Sequence, residues 1–179
     1  FKYEAGGDLH TMISNLGSLE EKYSRYVFSR ISKVLKYMHH MGYAHFDVSP
    51  ENILIGASGR VKLADFGLSQ RIPEAGSGQK FHRGKMVYGA PELGAAAMQP
   101  TDYDPRAADI FALGVTLFVC LTGVEPFSVA HTSDIRYSML LHTNNDWRGT
   151  FKPWMKSISD DTVDKIKHCT WADWRLRTF

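Results

Sequence analysis

The chain has 179 residues, enough for one domain with a proper core. Hydrophobic residues make up 44% and charged residues 22%, an ordinary globular balance. The net charge of +2 is too small to argue for nucleic acid or an anionic membrane as a partner. No internal repeat is visible, and the sequence opens on Phe1 without a signal-peptide pattern, which reads as a piece of something longer.

In chain order, "YEAGGDL" (Tyr3 to Leu9) contains a Gly-Gly turn. From Leu19 to Met41, the apolar residues Leu19, Tyr23, Val27, Ile31, Leu35 and Met38 recur at intervals of three or four, with Arg25, Lys33 and Lys36 falling between them. That spacing predicts a long amphipathic helix. "NILI" (Asn52 to Ile55) and "VKLA" (Val61 to Ala64), joined by "GASG", predict a β-hairpin. Residues 67–88 show little periodicity and read as a long functional or disordered loop. After Pro91 the chain turns helical. "IFALGVTLFVCL" (Ile110 to Leu121) has 12 apolar residues, short of the roughly 20 that a membrane span needs, so a buried helix near Ala107 to Thr122 is expected and no membrane span. Helices are also expected near Ser133 to Leu141 and Ser159 to Cys169. Cys120 and Cys169 lie in helix-like stretches without metal spacing and read as two buried thiols in a reducing compartment. The sum is an α+β fold, mainly helical with small hairpins.

The chemistry concentrates at the hairpin. Asp47 precedes its first strand and Asp65 follows its second, so closing the hairpin brings two carboxylates and the Asn52 carboxamide to one edge. Hard oxygen ligands of this kind suit Mg²⁺, which takes one or two carboxylates plus substrate phosphates. A carboxylate left off the metal can accept a proton from a hydroxyl. A single Asp in a loop can equally be a turn or cap residue.

Taken together, these residues form a family pattern. His45-Phe46-Asp47 followed by Asn52 resembles the catalytic loop H-R-D-x-x-x-x-N of eukaryotic protein kinases, Asp65-Phe66-Gly67 matches D-F-G, and Ala90-Pro91-Glu92 matches A-P-E. Asp109 with Gly114 resembles the central-helix D-x-x-x-x-G, Arg177 the arginine that pairs with the A-P-E glutamate, and "YEAGGDL" the hinge that holds adenine. The resemblance covers a hinge and large lobe over residues 1–179. The Gly-rich loop, strand lysine and helix glutamate of the small lobe would precede Phe1, and the usual last helix would follow the chain, so this stretch alone is expected to be inactive.

The resemblance implies ATP and Mg²⁺ as cofactors and a protein substrate, with no nucleic acid. Asp47 would be the base, Asn52 and Asp65 would hold Mg²⁺, and Lys2 and Glu4 would meet adenine through their backbones. Leu54 would lie beneath the ring, and Asp8 would reach the ribose or substrate. His45 and Phe66 would be packing residues. Asp8 and Glu51 line up with positions that meet basic residues before the acceptor hydroxyl. An intracellular, cytoplasmic address goes with this reading.

The departures matter as much. Phe46 replaces an arginine that gathers activation-loop phosphate, Trp174 stands where proline is common, and Ser49 replaces a lysine that supports the γ-phosphate. Lys85 stands where threonine is usual before A-P-E. One position has lost a lysine and a facing one has gained it, so Lys85 either takes over the role or points into solvent. Pro50-Glu51-Asn52 favours the serine/threonine branch, and the departures point to a divergent branch, with a catalytic loop whose spelling is similar to that of FIKK-type kinases. Intact Asp47, Asn52 and Asp65 favour an active kinase over a pseudokinase serving as a nucleotide-binding or protein-interaction scaffold.

Overall fold

The computed structural model describes residues 6–72, 84–96 and 103–179, with side chains described for all of these except 94–96. Two helices lead in. α1 (Leu9–Leu16) starts where the Asp8 carboxylate accepts the Thr11 backbone N–H at 2.7 Å, and α2 (Glu21–His40) follows. The predicted long helix is α2, which buries Val27, Phe28, Ile31 and Leu35 along one stripe. Sequence reading did not foresee α1. Its eight residues give too few turns for periodicity to stand out, and an Asp capping a short apolar stretch was its only signal.

β1 (Tyr43–Ala44) pairs antiparallel with β4 (Gln70–Arg71), and β2 (Ile53–Ile55) pairs with β3 (Val61–Leu63) as the predicted hairpin. The stretch read as a featureless loop over 67–88 therefore begins with a strand. Two residues carry no alternation, so only the partner strand defines β4. In β2 the side chains of Ile53 and Ile55 are buried while Leu54 between them is half-exposed, as a period of two requires.

α3 (Pro91–Ala96) precedes α4 (Pro105–Thr122), the spine of the molecule. Asp104 caps α4, Pro105 fills its first turn, and Gly123 ends it at a φ of 71°. By length and composition α4 could cross a membrane, but here it is almost entirely buried, packed against α2 and against α8 (Asp160–Cys169). That burial accounts for its apolarity. α4 and α8 cross closely at Gly114, where an added Cβ would stand 2.6 Å from Cys169 Cβ. α5 (Ile135–His142) and α8 match the predicted helices. Between them lie two single turns, α6 (Trp147–Thr150) and α7 (Lys152–Met155), which sequence reading missed. Asn144 and Asn145 with φ of 54° and 62°, Gly149 and Pro153 make that stretch look like loop. Its Trp147 and Phe151 nevertheless pack on Phe118 and complete the aromatic part of the core. Cys120 and Cys169 are free thiols, both pushed up to about 12 by burial.

Candidate active site

The loop after β1 is held in an unfavourable backbone shape. Phe46 has a φ of 64°, a left-handed conformation that a bulky residue avoids. The carboxylate of Asp109, fully buried in the first turns of α4, holds it there: one oxygen accepts the His45 N–H and the other the Phe46 N–H, both at 2.8 Å. His39 at the end of α2 meets the same carboxylate at 2.8 Å. Two donated backbone bonds to a buried charge offset the strain that Phe46 stores.

His45 is buried, and its two ring nitrogens are committed. Nε2 lies 3.1 Å from the Ala64 carbonyl, which can only accept, so Nε2 carries the proton. Nδ1 then accepts the Asp47 N–H at 3.3 Å. Burial holds His45 below the usual histidine range, in line with a neutral ring, and Phe66 packs edge-on against it at 5.1 Å. The ring thus ties the loop to the end of β3 and sets the direction of Asp47.

Asn52, at the end of a 3-10 turn (Pro50–Asn52), donates its amide nitrogen to the Asp47 backbone carbonyl at 2.8 Å and to Asp47 Oδ2 at 2.7 Å. This commits the nitrogen end and leaves the carboxamide oxygen as the end that can meet a cation. Across the hairpin, the Ala64 N–H donates to the Asn52 carbonyl at 2.8 Å, so Asp65 stands one residue beyond Asn52's partner. Asp65 is exposed, with φ of 57°, and one of its oxygens accepts the Gly67 N–H at 3.1 Å. A carboxylate and a carboxamide oxygen at one edge fit Mg²⁺, which leaves most of its shell to phosphates and water. Among the described residues, no cluster of three or more His, Cys, Asp or Glu side chains competes for that role.

The remaining candidates fall on both walls. Leu54 pairs with Asp8 through an isolated bridge, and Ile55 N–H donates to the Gly7 carbonyl at 2.9 Å, so the segment before α1 lies along β2. Gly6 is needed there, since a Cβ would meet the Ile55 carbonyl oxygen at 2.4 Å. Asp8 caps α1. Partial burial pushes its carboxyl up, but the Thr11 backbone and hydroxyl bonds outweigh this and hold it below 3.8. Lys2 and Glu4 lie outside the described residues. Lys85 Nζ donates to the buried Ser49 hydroxyl at 2.9 Å and forms an ion pair with Glu51 at 3.1 Å.

With this geometry in hand, comparison with known proteins is decisive: the profile described as "Protein kinase domain" matches residues 1–178. The chain belongs to the protein kinase domain family. It is 34% identical over 164 residues to testis-specific serine/threonine-protein kinase 2 of Mus musculus, covering 89% of this chain and 43% of that protein. It is 34% identical over 167 residues to CBL-interacting protein kinase 21 of Oryza sativa, covering 92% of this chain and 30% of that one. Aurora kinase of Candida glabrata is 33% identical over 165 residues, covering 92% of this chain and 42% of its own. The chain therefore spans less than half the length of these curated relatives.

Within this kinase domain, Glu92 of A-P-E is gripped by Arg177 through both terminal guanidinium nitrogens, with Arg177 Nη2 2.8 Å from Glu92 Oε2. The guanidinium also lies 4.9 Å over the Phe111 ring. Phe46, where the kinase pattern has arginine, packs against the apolar core. His39 was missed from sequence. A histidine closing a helix reads as a partner for the helix dipole, and Asp109 is 70 residues away.

Proposed function

We propose that this domain transfers the γ-phosphate of ATP to serine or threonine hydroxyls of protein substrates. The observation that carries the reading is the clamp of the Asn52 amide on the Asp47 carboxylate, at the open end of the hairpin where Asp65 follows β3. Asp47 accepts the proton of the attacking hydroxyl as its oxygen bonds to the γ-phosphorus. The bond from that phosphorus to its bridging oxygen breaks, and ADP leaves with the electron pair. Asn52 keeps the carboxylate aimed, and Asp109 keeps the loop beneath it rigid, so little reorganisation is left for the moment of reaction. Asn52 and Asp65 would hold Mg²⁺, which when bound neutralises charge spread over the phosphate oxygens.

Leu54, half-exposed on the cleft side of β2, offers an apolar floor to a purine, and Asp8 stands beside it at the rim. Names of the relatives, which include serine/threonine kinases, support the choice of acceptor, as does the sequence Pro50-Glu51-Asn52. ATP as donor and two unpaired thiols go with an intracellular setting.

In the intact kinase, Asp47→Asn is expected to lower kcat by a few orders of magnitude with ATP affinity nearly unchanged, because the side chain acts on the hydroxyl. Asp65→Ala is expected instead to abolish Mg²⁺-dependent nucleotide binding measured by calorimetry. Wild-type turnover by Asp47→Asn would refute Asp47 as the base, whereas nucleotide binding without turnover by the intact wild type would leave a nucleotide-binding scaffold.

A further inference from the structure

Lys85 is the cation that the described residues bring against the loop carrying Asp47, and its setting is specific. Its ammonium donates to Ser49 Oγ at 2.9 Å, and that serine is wholly buried beneath it. Glu51 Oε2 is 3.1 Å from the same nitrogen. An ammonium has three donors, and the bond to Ser49 uses one of them. The side chain is 40% exposed, so the ammonium is open to an incoming group. The preceding residue presses directly on the base: a Cβ on Gly84 would stand 2.4 Å from the Phe46 carbonyl oxygen and 3.2 Å from Asp47 Oδ1. Lys85 and Asp47 line one small cavity.

The electrostatics define what is missing without Lys85. Asp47, Glu51 and Asp65 are the acidic side chains of the candidate site, and Ser49 cannot supply a positive charge to a phosphoryl group there. We propose that Lys85 contacts the transferred phosphate during transfer. It would supply the positive charge that Ser49 does not. Ser49 and Glu51 act as its two anchors. They fix a flexible four-carbon stem, so that less rotamer freedom is lost at the moment of reaction. A lysine pointing freely into solvent would have neither anchor. The proposal rests on the phosphoryl-transfer reading above.

A double-mutant cycle in the intact kinase tests it. Lys85→Thr is expected to lose at least tenfold in kcat/KM. It is also expected to weaken binding of a non-hydrolysable ATP analogue with its triphosphate intact, while ADP affinity, read by calorimetry, stays the same. Ser49→Lys alone would crowd a second ammonium against the first and lower activity. Added to Lys85→Thr, the same change should restore most of the loss, a reversal of sign that a solvent-facing lysine cannot produce. A neutral Lys85→Thr, a failure of Ser49→Lys to rescue it, or an equal loss of ADP affinity would each overturn the proposal. The ADP arm separates a folding defect from loss of a phosphate contact. An inactive wild type would instead count against the parent reading, and the analogue-against-ADP comparison would still report on Lys85.

Discussion

At the scale of single residues, the domain spends buried charge sparingly and pairs what it buries. Arg177 is the clearest case. Its side chain is fully buried and donates to both oxygens of Glu92, and to the carbonyls of Trp171, Ala107 and Ala172. Only a planar group with five donors can serve so many acceptors at once. Removing one partner of such a pair strands the other charge away from water, a loss of about 3–5 kcal/mol. Arg177→Ala is therefore expected to destabilise the domain by that amount in urea unfolding. Arg177→Lys should recover little, because three donors on a point charge cannot replace the fork. A shift below about 1 kcal/mol, the ceiling for an exposed pair, would mean that the pair is solvated in solution. Phe46 shows the opposite economy. An apolar ring on the core replaces a cation, and the Asp109 carboxylate holds the loop there through the His45 and Phe46 backbone N–H groups.

At the scale of elements, the site depends on how closely α4 can approach α8. Gly114 sets that distance: an added Cβ would stand 2.6 Å from Cys169 Cβ and 2.8 Å from Thr170 Cγ2. In an isolated helix Gly→Ala gains about 1 kcal/mol. Here Gly114→Ala must push two packed helices apart, a cost of roughly 1–3 kcal/mol that can cancel or exceed the gain. The expected result is a net loss of about 1 kcal/mol in thermal or denaturant unfolding, with kcat falling as well because Asp109 rides on α4. Adding Thr170→Ser removes one clashing methyl and should return part of both losses. A more stable Gly114→Ala would show that the crossing yields freely. This glycine was legible in sequence only as part of a motif; its reason, a neighbour 55 residues away, was not. The same holds elsewhere. Long periodic helices and the Gly-turned hairpin could be read locally, as could the order of Asp47, Asn52 and Asp65. The single turns α6 and α7, the two-residue β4 and the His39–Asp109 contact exist only through tertiary partners, so no local pattern announced them.

At the scale of the whole molecule, one surface question joins the proposed catalytic cation to substrate choice. Asp8 and Glu51 are the acidic groups expected to meet basic residues ahead of an acceptor hydroxyl, and both already have internal partners. Asp8 caps α1, and Glu51 is paired with Lys85. Burial pushes the Glu51 carboxyl up, yet its own backbone N–H, Lys85 and the Ser49 hydroxyl outweigh this and hold it below 4.5. A basic side chain arriving in the groove therefore adds to a charge already partly compensated. Such partly exposed pairs contribute about 0.5–1 kcal/mol each, or about two- to fivefold per peptide position. A positional peptide library on the intact kinase is expected to show a mild preference for Arg or Lys before the acceptor, reduced by Glu51→Gln. Because Lys85 and a substrate cation compete for one carboxylate, Lys85→Thr should sharpen that preference even as it slows transfer. Opposite movement of selectivity and rate in one variant is difficult to obtain from misfolding, which lowers both. A library flat or acidic at those positions, with wild-type turnover intact, would assign Glu51 to Lys85 alone.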